Sequence, residues 1–74
     1  MGDEGEDSIY LQTFGRRLSA LRVQRGLSQE QLAEAAGLQA VEVRGAERGQ
    51  RDLSVVALAD LAQALRVRPA DLMP

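Results

Sequence analysis

Hydrophobic residues recur along this chain at intervals of three and four positions, a spacing that places them on one face of a helix. The first such stripe predicts a helix over about residues 8–25, with Ser8 as its N-cap and Gly26 as its stop. No segment alternates between apolar and polar residues with a period of two, so the pattern predicts an all-α fold. The apolar positions of the first stripe are Ile9, Leu11, Phe14, Leu18 and Leu21.

The clearest helix-start signal lies at Ser28. Its hydroxyl can cap a second helix, and Gln31, three residues later, can reach back to it in a capping box. Leu27 and Leu32 occupy the two positions of a hydrophobic staple around this cap. The helix is predicted to end at Gly37 after about nine residues, which is too short for stability unless it is packed.

A third short helix is predicted over about residues 39–48, with Val43 and Ala46 directed inward and Gly49 at its end. Gly45 inside this helix costs about 1 kcal/mol of helix propensity relative to alanine. The cost indicates that neighbouring elements hold the helix in place, or that its surface needs a close approach.

Two more helices follow the polar link of residues 49–53. Ser54 is expected to cap the fourth helix, and Pro69 suits the first position of a final turn that runs to Met73. The pattern therefore predicts five helices. The apolar stripe of the fourth consists of Val55, Leu58, Leu61, Ala62 and Leu65.

Length and composition narrow the function. The chain has 74 residues, enough for one small domain. It contains neither cysteine nor histidine, which excludes disulfides, thiolate zinc sites and Ser-His-Asp catalysis. We therefore expect no enzyme, no cofactor and no metal. No apolar run approaches the roughly 20 residues that span a bilayer, so we expect a cytoplasmic protein.

Charge is distributed unevenly along the chain. Its net value of −2 includes four acidic residues within positions 1–7, which we interpret as a disordered acidic tail. The remaining domain, residues 8–74, holds nine arginines against seven acidic residues. Residues 14–51 alone hold seven arginines and four glutamates. This excess permits a polyanionic partner without requiring one.

Two short capped helices with small residues at fixed positions have the spacing of a helix-turn-helix. Ala33 must be small because the two helices cross closely there, and Gly37 makes the turn at positive φ. Val43 and Ala46 anchor the second of these helices so that its opposite face projects outward. Gln29 lies at the start of the motif.

The stretch from Phe14 to Met73, and above all the run RGLSQEQLAEAAGL, resembles the Cro/C1-type (lambda-repressor-like, XRE) helix-turn-helix family. The run GAERGQRDLSVVAL resembles more narrowly the controller proteins of restriction–modification systems. The resemblance implies a compact fold of five helices whose third helix enters the major groove. It also implies a homodimeric, sequence-specific transcriptional regulator that binds double-stranded DNA at an inverted-repeat operator.

The resemblance assigns roles to single residues. Gln29 matches the family's glutamine at the start of the second helix, where its side chain and backbone N–H contact a phosphate. Arg22 and Glu47 match an ion pair that links the first helix to the end of the third. The residues expected to grip the DNA backbone after the recognition helix are Arg48, Gln50 and Arg51.

Base contacts in this family come from positions that correspond here to Gln39, Ala40, Val41, Arg44 and Gly45. Only Gln39 and Arg44 can make bidentate contacts with a base, whereas Ala40 and Val41 can touch thymine methyl groups.

The recognition face also carries an acidic residue and an apolar pair. Glu42 either accepts a hydrogen bond from a cytosine amino group or repels phosphate. We favour repulsion, or an outward salt bridge with Arg44 or Arg16. Ala40 and Val41 are expected to form an exposed apolar patch.

This combination of polar, acidic and apolar residues on the recognition face is compatible with two functions. The first is the homodimeric regulator, with Val55, Val56 and Val67 predicted to form the dimer interface. The alternative is an interaction module, antitoxin-like or an anti-repressor partner, which kept the fold, lost base readout and binds a protein through the face around Val41.

Overall fold

The computed structural model describes the backbone of residues 2–73 and the side chains of residues 9–73. These residues form five helices and no strand, as the hydrophobic pattern predicts. None of the described helices is long and apolar enough to cross a membrane. The helices are α1 (Gly2–Gln24), α2 (Gln29–Ala36), α3 (Ala40–Glu47), α4 (Val55–Leu65) and α5 (Pro69–Leu72).

Helix α1 begins earlier than predicted. Its backbone is helical from Gly2, whereas we expected a start after Ser8 and a disordered tail over residues 1–7. Met1 and the side chains of the predicted tail lie outside the described residues.

Helix α2 begins and ends as its sequence predicts. The Ser28 hydroxyl accepts from the backbone N–H of Gln31 at 3.0 Å, and the Ser28 N–H donates to Gln31 Oε1 at 2.8 Å. Gly37 ends the helix at a φ of 72°, in the left-handed region that glycine adopts without strain.

At both ends of α4, side chains form hydrogen bonds with backbone groups of the helix. The Ser54 hydroxyl accepts from the N–H of Ala57 at 3.1 Å, as expected for an N-cap. At the other end Arg66 takes a φ of 61°, which is uncommon for a residue other than glycine. Arg25, just after α1, donates from Nε to the carbonyl of Leu65 at 2.7 Å. This bond connects the end of α1 to the end of α4.

The core draws on all five helices. Of the predicted apolar stripes, Ile9 is exposed and Leu11, Leu21 and Leu58 are half-buried. Among the described residues, no polar or charged residue is buried as a whole, although the side chain of Glu47 is only 7% exposed. The buried hydrophobic residues are Phe14, Leu18, Leu32, Ala33, Ala36, Val43, Ala46, Leu61, Ala62, Leu65 and Leu72.

Gly15 lets α3 lie directly against the backbone of α1. A Cβ atom at this position would be 2.5 Å from the carbonyl oxygens of both Ala46 and Glu47, at the end of α3. No side chain fits in that space. We did not predict this role for Gly15, although a glycine inside an apolar helical stripe indicates a packing requirement.

Candidate nucleic-acid interface

Helices α2 and α3 form the helix-turn-helix. Ala33 of α2 is buried, and the N–H of Leu38, in the turn between the two helices, donates to its carbonyl at 2.8 Å. Val43 and Ala46 are fully buried and hold one side of α3 against the core. The opposite side of α3 is consequently directed outward.

The outward side of α3 carries only part of the predicted set of base contacts. Gln39 is exposed at the N-cap position, Val41 is 51% exposed, and Arg44 is half-exposed. Ala40 is half-buried against the core and does not form the exposed apolar patch that we expected it to share with Val41. The reason is its place in the first turn of α3, on the side that faces the core.

Glu47, at the end of α3, accepts hydrogen bonds from two elements. Arg22 of α1 donates to it twice, from Nε to Oε2 at 2.6 Å and from Nη2 to Oε1 at 3.1 Å. The third nitrogen of this guanidinium, Nη1, donates to the carbonyl of Leu27 at 2.8 Å. The side chains of Arg22 and Glu47 are 16% and 7% exposed, so most of the pair is shielded from water.

The environment of Arg22 favours its charged form. The hydrogen bond with Glu47 raises the pKa of Arg22 above its ordinary value, burial opposes this, and the negative charges of Glu47 and Glu30 add to the rise. The guanidinium therefore stays protonated wherever the protein is folded.

Gln29 belongs to the same network, a contact that we did not predict from the sequence. Its Nε2 donates to Glu47 Oε1 at 2.9 Å, so the side chain predicted to contact phosphate lies on Glu47. The Ser28 hydroxyl caps the N–H of Gln31, so the N–H groups of Gln29 and Glu30 are the ones at the start of α2 that could meet a phosphate.

Two arginines of the candidate interface each lie near a glutamate. Arg44 Nη2 is 3.8 Å from Glu30 Oε2, and Arg51 Nη1 is 3.9 Å from Glu42 Oε1. Of the two roles that we favoured for Glu42, the structure replaces the salt bridge with Arg44 or Arg16 by one with Arg51, and the repulsion of phosphate stays a prediction. The other oxygen of Glu42 accepts from the N–H of Gln39 at 2.9 Å, which draws the carboxylate to the start of α3 and within reach of Arg51.

The loop after α3 returns toward the helix. Gly49 takes a φ of 71°, and the N–H of Gln50 donates to the carbonyl of Gly45 at 2.9 Å. Arg48, Gln50 and Arg51 are all exposed along this turn. The three residues predicted to grip the DNA backbone therefore lie beside the end of α3.

The three valines predicted for a dimer interface differ in exposure. Val55 and Val56, in the first turn of α4, are 82% and 70% exposed. Val67, in the link between α4 and α5, is half-buried against the core. An apolar surface on this side of the domain thus centres on Val55 and Val56.

Comparison with known proteins places this arrangement among transcription factors. Residues 18–72 match the helix-turn-helix family HTH_3. An HTH-type transcriptional regulator of Sinorhizobium fredii, y4dJ, is 36% identical over 59 residues, which are 80% of this chain and 77% of that protein.

Two solved structures extend the similarity to three dimensions. The restriction–modification controller protein C.AhdI from Aeromonas hydrophila is 49% identical with a TM-score of 0.84, over 85% of this chain and 96% of that one. The BldD DNA-binding domain of S. venezulae is 37% identical with a TM-score of 0.78, over 88% and 97% of the respective chains. The chain belongs to the XRE-type helix-turn-helix family of DNA-binding transcriptional regulators.

Proposed function

We propose that this protein is a homodimeric, sequence-specific regulator that binds an inverted-repeat operator and controls a restriction–modification system. The observation that carries the proposal is the placement of α3. Val43 and Ala46 fix one side of the helix in the core, while Gln39, Val41 and Arg44 face outward. This is the arrangement by which a recognition helix enters the major groove.

The chemistry of the outward residues supports DNA as the ligand. Gln39 can contact adenine and Arg44 guanine through paired hydrogen bonds, and Val41 can contact a thymine methyl group. Arg48 and Arg51 lie beside the helix, where they can contact phosphates. One surface of the protein can therefore contact both the bases and the phosphates of DNA.

The exposed valines of α4 support the homodimer. Val55 and Val56 are large apolar side chains that the monomer leaves in water. Two-fold pairing through them would cover both copies with the same surface. Such a dimer presents two recognition helices, and the spacing expected on DNA is about 34 Å, one helical turn.

Similarity to C.AhdI supports the narrower role. The two chains share 49% identity across 96% of the controller protein, so the likeness extends over nearly all of that chain. A restriction–modification controller is therefore the most specific function that we propose.

Fluorescence anisotropy with a duplex from upstream of the protein's own gene tests the proposal. Against a scrambled duplex, a specific regulator should prefer the upstream duplex by about a thousandfold or more, and its affinity should fall steeply as salt rises. Equal, weak and salt-sensitive binding to both duplexes would overturn the proposal.

Arg44→Met provides the matched test of the recognition face. Loss of a bidentate base contact should weaken binding to the upstream duplex by about 1–3 kcal/mol. The scrambled duplex, which offers Arg44 no specific contact, should be affected much less. Arg68→Met, on a side chain that is exposed next to α5, makes the same change of charge away from α3 and should leave the preference unchanged.

A second function is favoured by one observation, the exposure of Val41 at the centre of the recognition face. An interaction module would bind another protein through this surface. Val41→Gln separates the two functions, because it should change the preferred DNA sequence of a regulator but abolish the protein complex of an interaction module.

A further inference from the structure

The outward side of α3 has a gap at Gly45 that Arg51 fills. A Cβ atom at position 45 would lie 3.3 Å from Arg51 Cβ, 3.6 Å from its Nε and 3.8 Å from its Cδ. The side chain of Arg51, although it comes from the loop, therefore lies along the recognition helix. Its position depends on the missing side chain of Gly45.

Glu42 lies one turn before Gly45 on α3, and its carboxylate faces both the N–H of Gln39 and the guanidinium of Arg51. Its Oε2 accepts from the N–H of Gln39 at 2.9 Å, and its Oε1 is 3.9 Å from Nη1 of Arg51. The side chains of Glu42 and Arg51 are 29% and 48% exposed, so both remain accessible to a ligand. Because the N–H of Gln39 anchors the carboxylate, Glu42 stays in place when Arg51 leaves it.

This geometry sets Glu42 in competition with DNA for one guanidinium. If Arg51 moves to a phosphate, an anchored carboxylate is left uncovered on a surface that faces a polyanion. The cost is avoided where the DNA supplies another hydrogen-bond donor, and in the major groove the cytosine amino group is the donor that a glutamate accepts from. Penalties that act against the wrong partner increase specificity as effectively as new contacts with the right one.

We propose that Glu42 is a positioning and specificity-determining residue, which withholds Arg51 from the phosphates of non-operator DNA and releases it at the operator. The inference rests on the proposed function of sequence-specific DNA binding. It assigns Arg51 two states: paired with Glu42 on arbitrary DNA, and in contact with DNA at the operator.

Glu42→Gln tests the inference, because glutamine keeps an acceptor for the N–H of Gln39 while the charge is removed. The probe is a fluorescein-labelled scrambled duplex titrated at several salt concentrations. Binding should tighten by about 1.4-fold to fivefold, the range of a partly exposed ion pair. Release of Arg51 to one more phosphate should also steepen the slope of log affinity against log salt by about 0.9. Affinity for the upstream duplex should not rise, so the preference between the two duplexes falls.

Repeating the Glu42→Gln measurement in the Arg51→Met protein shows whether the change of salt slope depends on Arg51. Methionine keeps the apolar stem over Gly45 but has no charge, so Glu42→Gln should leave the salt slope unchanged there. Asp60→Asn, on α4, changes the net charge equally away from α3 and should leave slope and preference unaltered. Thermal unfolding of every variant confirms that the fold is intact.

Two results would overturn the inference. One is an unchanged salt slope for Glu42→Gln; the other is an equal change of slope with and without Arg51, which is general repulsion between Glu42 and DNA. A different result would refute the proposed function alone. If the unmodified protein binds both duplexes equally, it is not a sequence-specific regulator. If Glu42→Gln nevertheless steepens the slope of log affinity against log salt, the pairing of Arg51 with Glu42 on arbitrary DNA is supported.

Discussion

Single residues at the end of α3 decide how firmly the recognition helix is held. Glu47 accepts from Arg22 of α1 and Gln29 of α2, so one carboxylate connects three helices. Removing it leaves the guanidinium of Arg22 largely shielded from water and without its counter-charge. Breaking a buried pair in this way typically costs about 3–5 kcal/mol.

Glu47→Ala should therefore lower the free energy of unfolding by about 3 kcal/mol, as measured by urea denaturation followed by circular dichroism. Glu34→Ala is the control, since this carboxylate is exposed on α2 and its loss should change stability by less than about 0.5 kcal/mol. Equal urea midpoints for Glu47→Ala and the unmodified protein would show that the pair contributes nothing to stability.

Two glycines of the same region should respond oppositely to alanine. Gly15→Ala forces a methyl group to within 2.5 Å of two carbonyl oxygens, and neither backbone can move without separating α1 from α3. We expect a loss of about 1–3 kcal/mol or more, as in other overpacked cores.

Gly45→Ala is the matched control within α3. Its new methyl group would lie 3.3 Å from Arg51 Cβ, a contact that a shift of a few tenths of an ångström in this exposed loop residue relieves, and alanine gains up to about 1 kcal/mol of helix propensity. Stability should consequently stay level or rise. A Gly15→Ala protein as stable as Gly45→Ala in thermal unfolding would contradict the close approach of α1 and α3.

At the scale of helices, the limits of α2 were predictable because they depend on neighbours in the sequence. Ser28 and Gln31 are three residues apart, and Gly37 adopts its turn conformation through its own lack of a side chain. The contact of Gln29 with Glu47 was not predictable, since 18 positions separate the two residues and only the packed fold brings them together. The same holds for the approach of Gly15 to the end of α3.

The candidate site was also predictable only in part. The motif identifies which residues belong to the site, but the ion-pair partners of its charged residues depend on the path of the loop after α3. From the sequence we considered Arg44 and Arg16 as salt-bridge partners of Glu42, whereas the turn at Gly49 brings Arg51 within 3.9 Å of its carboxylate. Burial of Ala40 likewise depends on the rotation of α3 about its axis, which Val43 and Ala46 fix against the core.

Helix α2 has only eight residues, so its capping box should matter for the whole domain. Ser28→Ala removes the hydroxyl that accepts from Gln31 and should cost about 1 kcal/mol of stability. Ser19→Ala, inside α1, replaces a serine that caps no helix and should be neutral or slightly stabilising. If both variants unfold at the same temperature, the cap does not limit the stability of the domain.

At the scale of the whole molecule, the apolar surface and the recognition face belong to different helices. Val55 and Val56 lie at the start of α4, while Gln39, Val41 and Arg44 lie on α3. A change in the valines should therefore disturb the proposed dimer without altering a residue of the proposed DNA-binding surface. This separation makes the proposed dimer testable by its effect on operator binding.

Val56→Asp should dissociate the proposed dimer, because pairing would bury two carboxylates against apolar side chains. The fold should persist, since Val56 is 70% exposed in the monomer. Sedimentation equilibrium should report a monomer, and binding to the full inverted repeat should weaken to the level of a single half-site. Val23→Asp, on a valine of α1 that is 63% exposed, introduces the same charge elsewhere and should leave both measurements unchanged. A Val56→Asp protein that still sediments as a dimer would place the interface on another surface, whereas an unmodified protein that is monomeric even on its operator would exclude two-fold recognition.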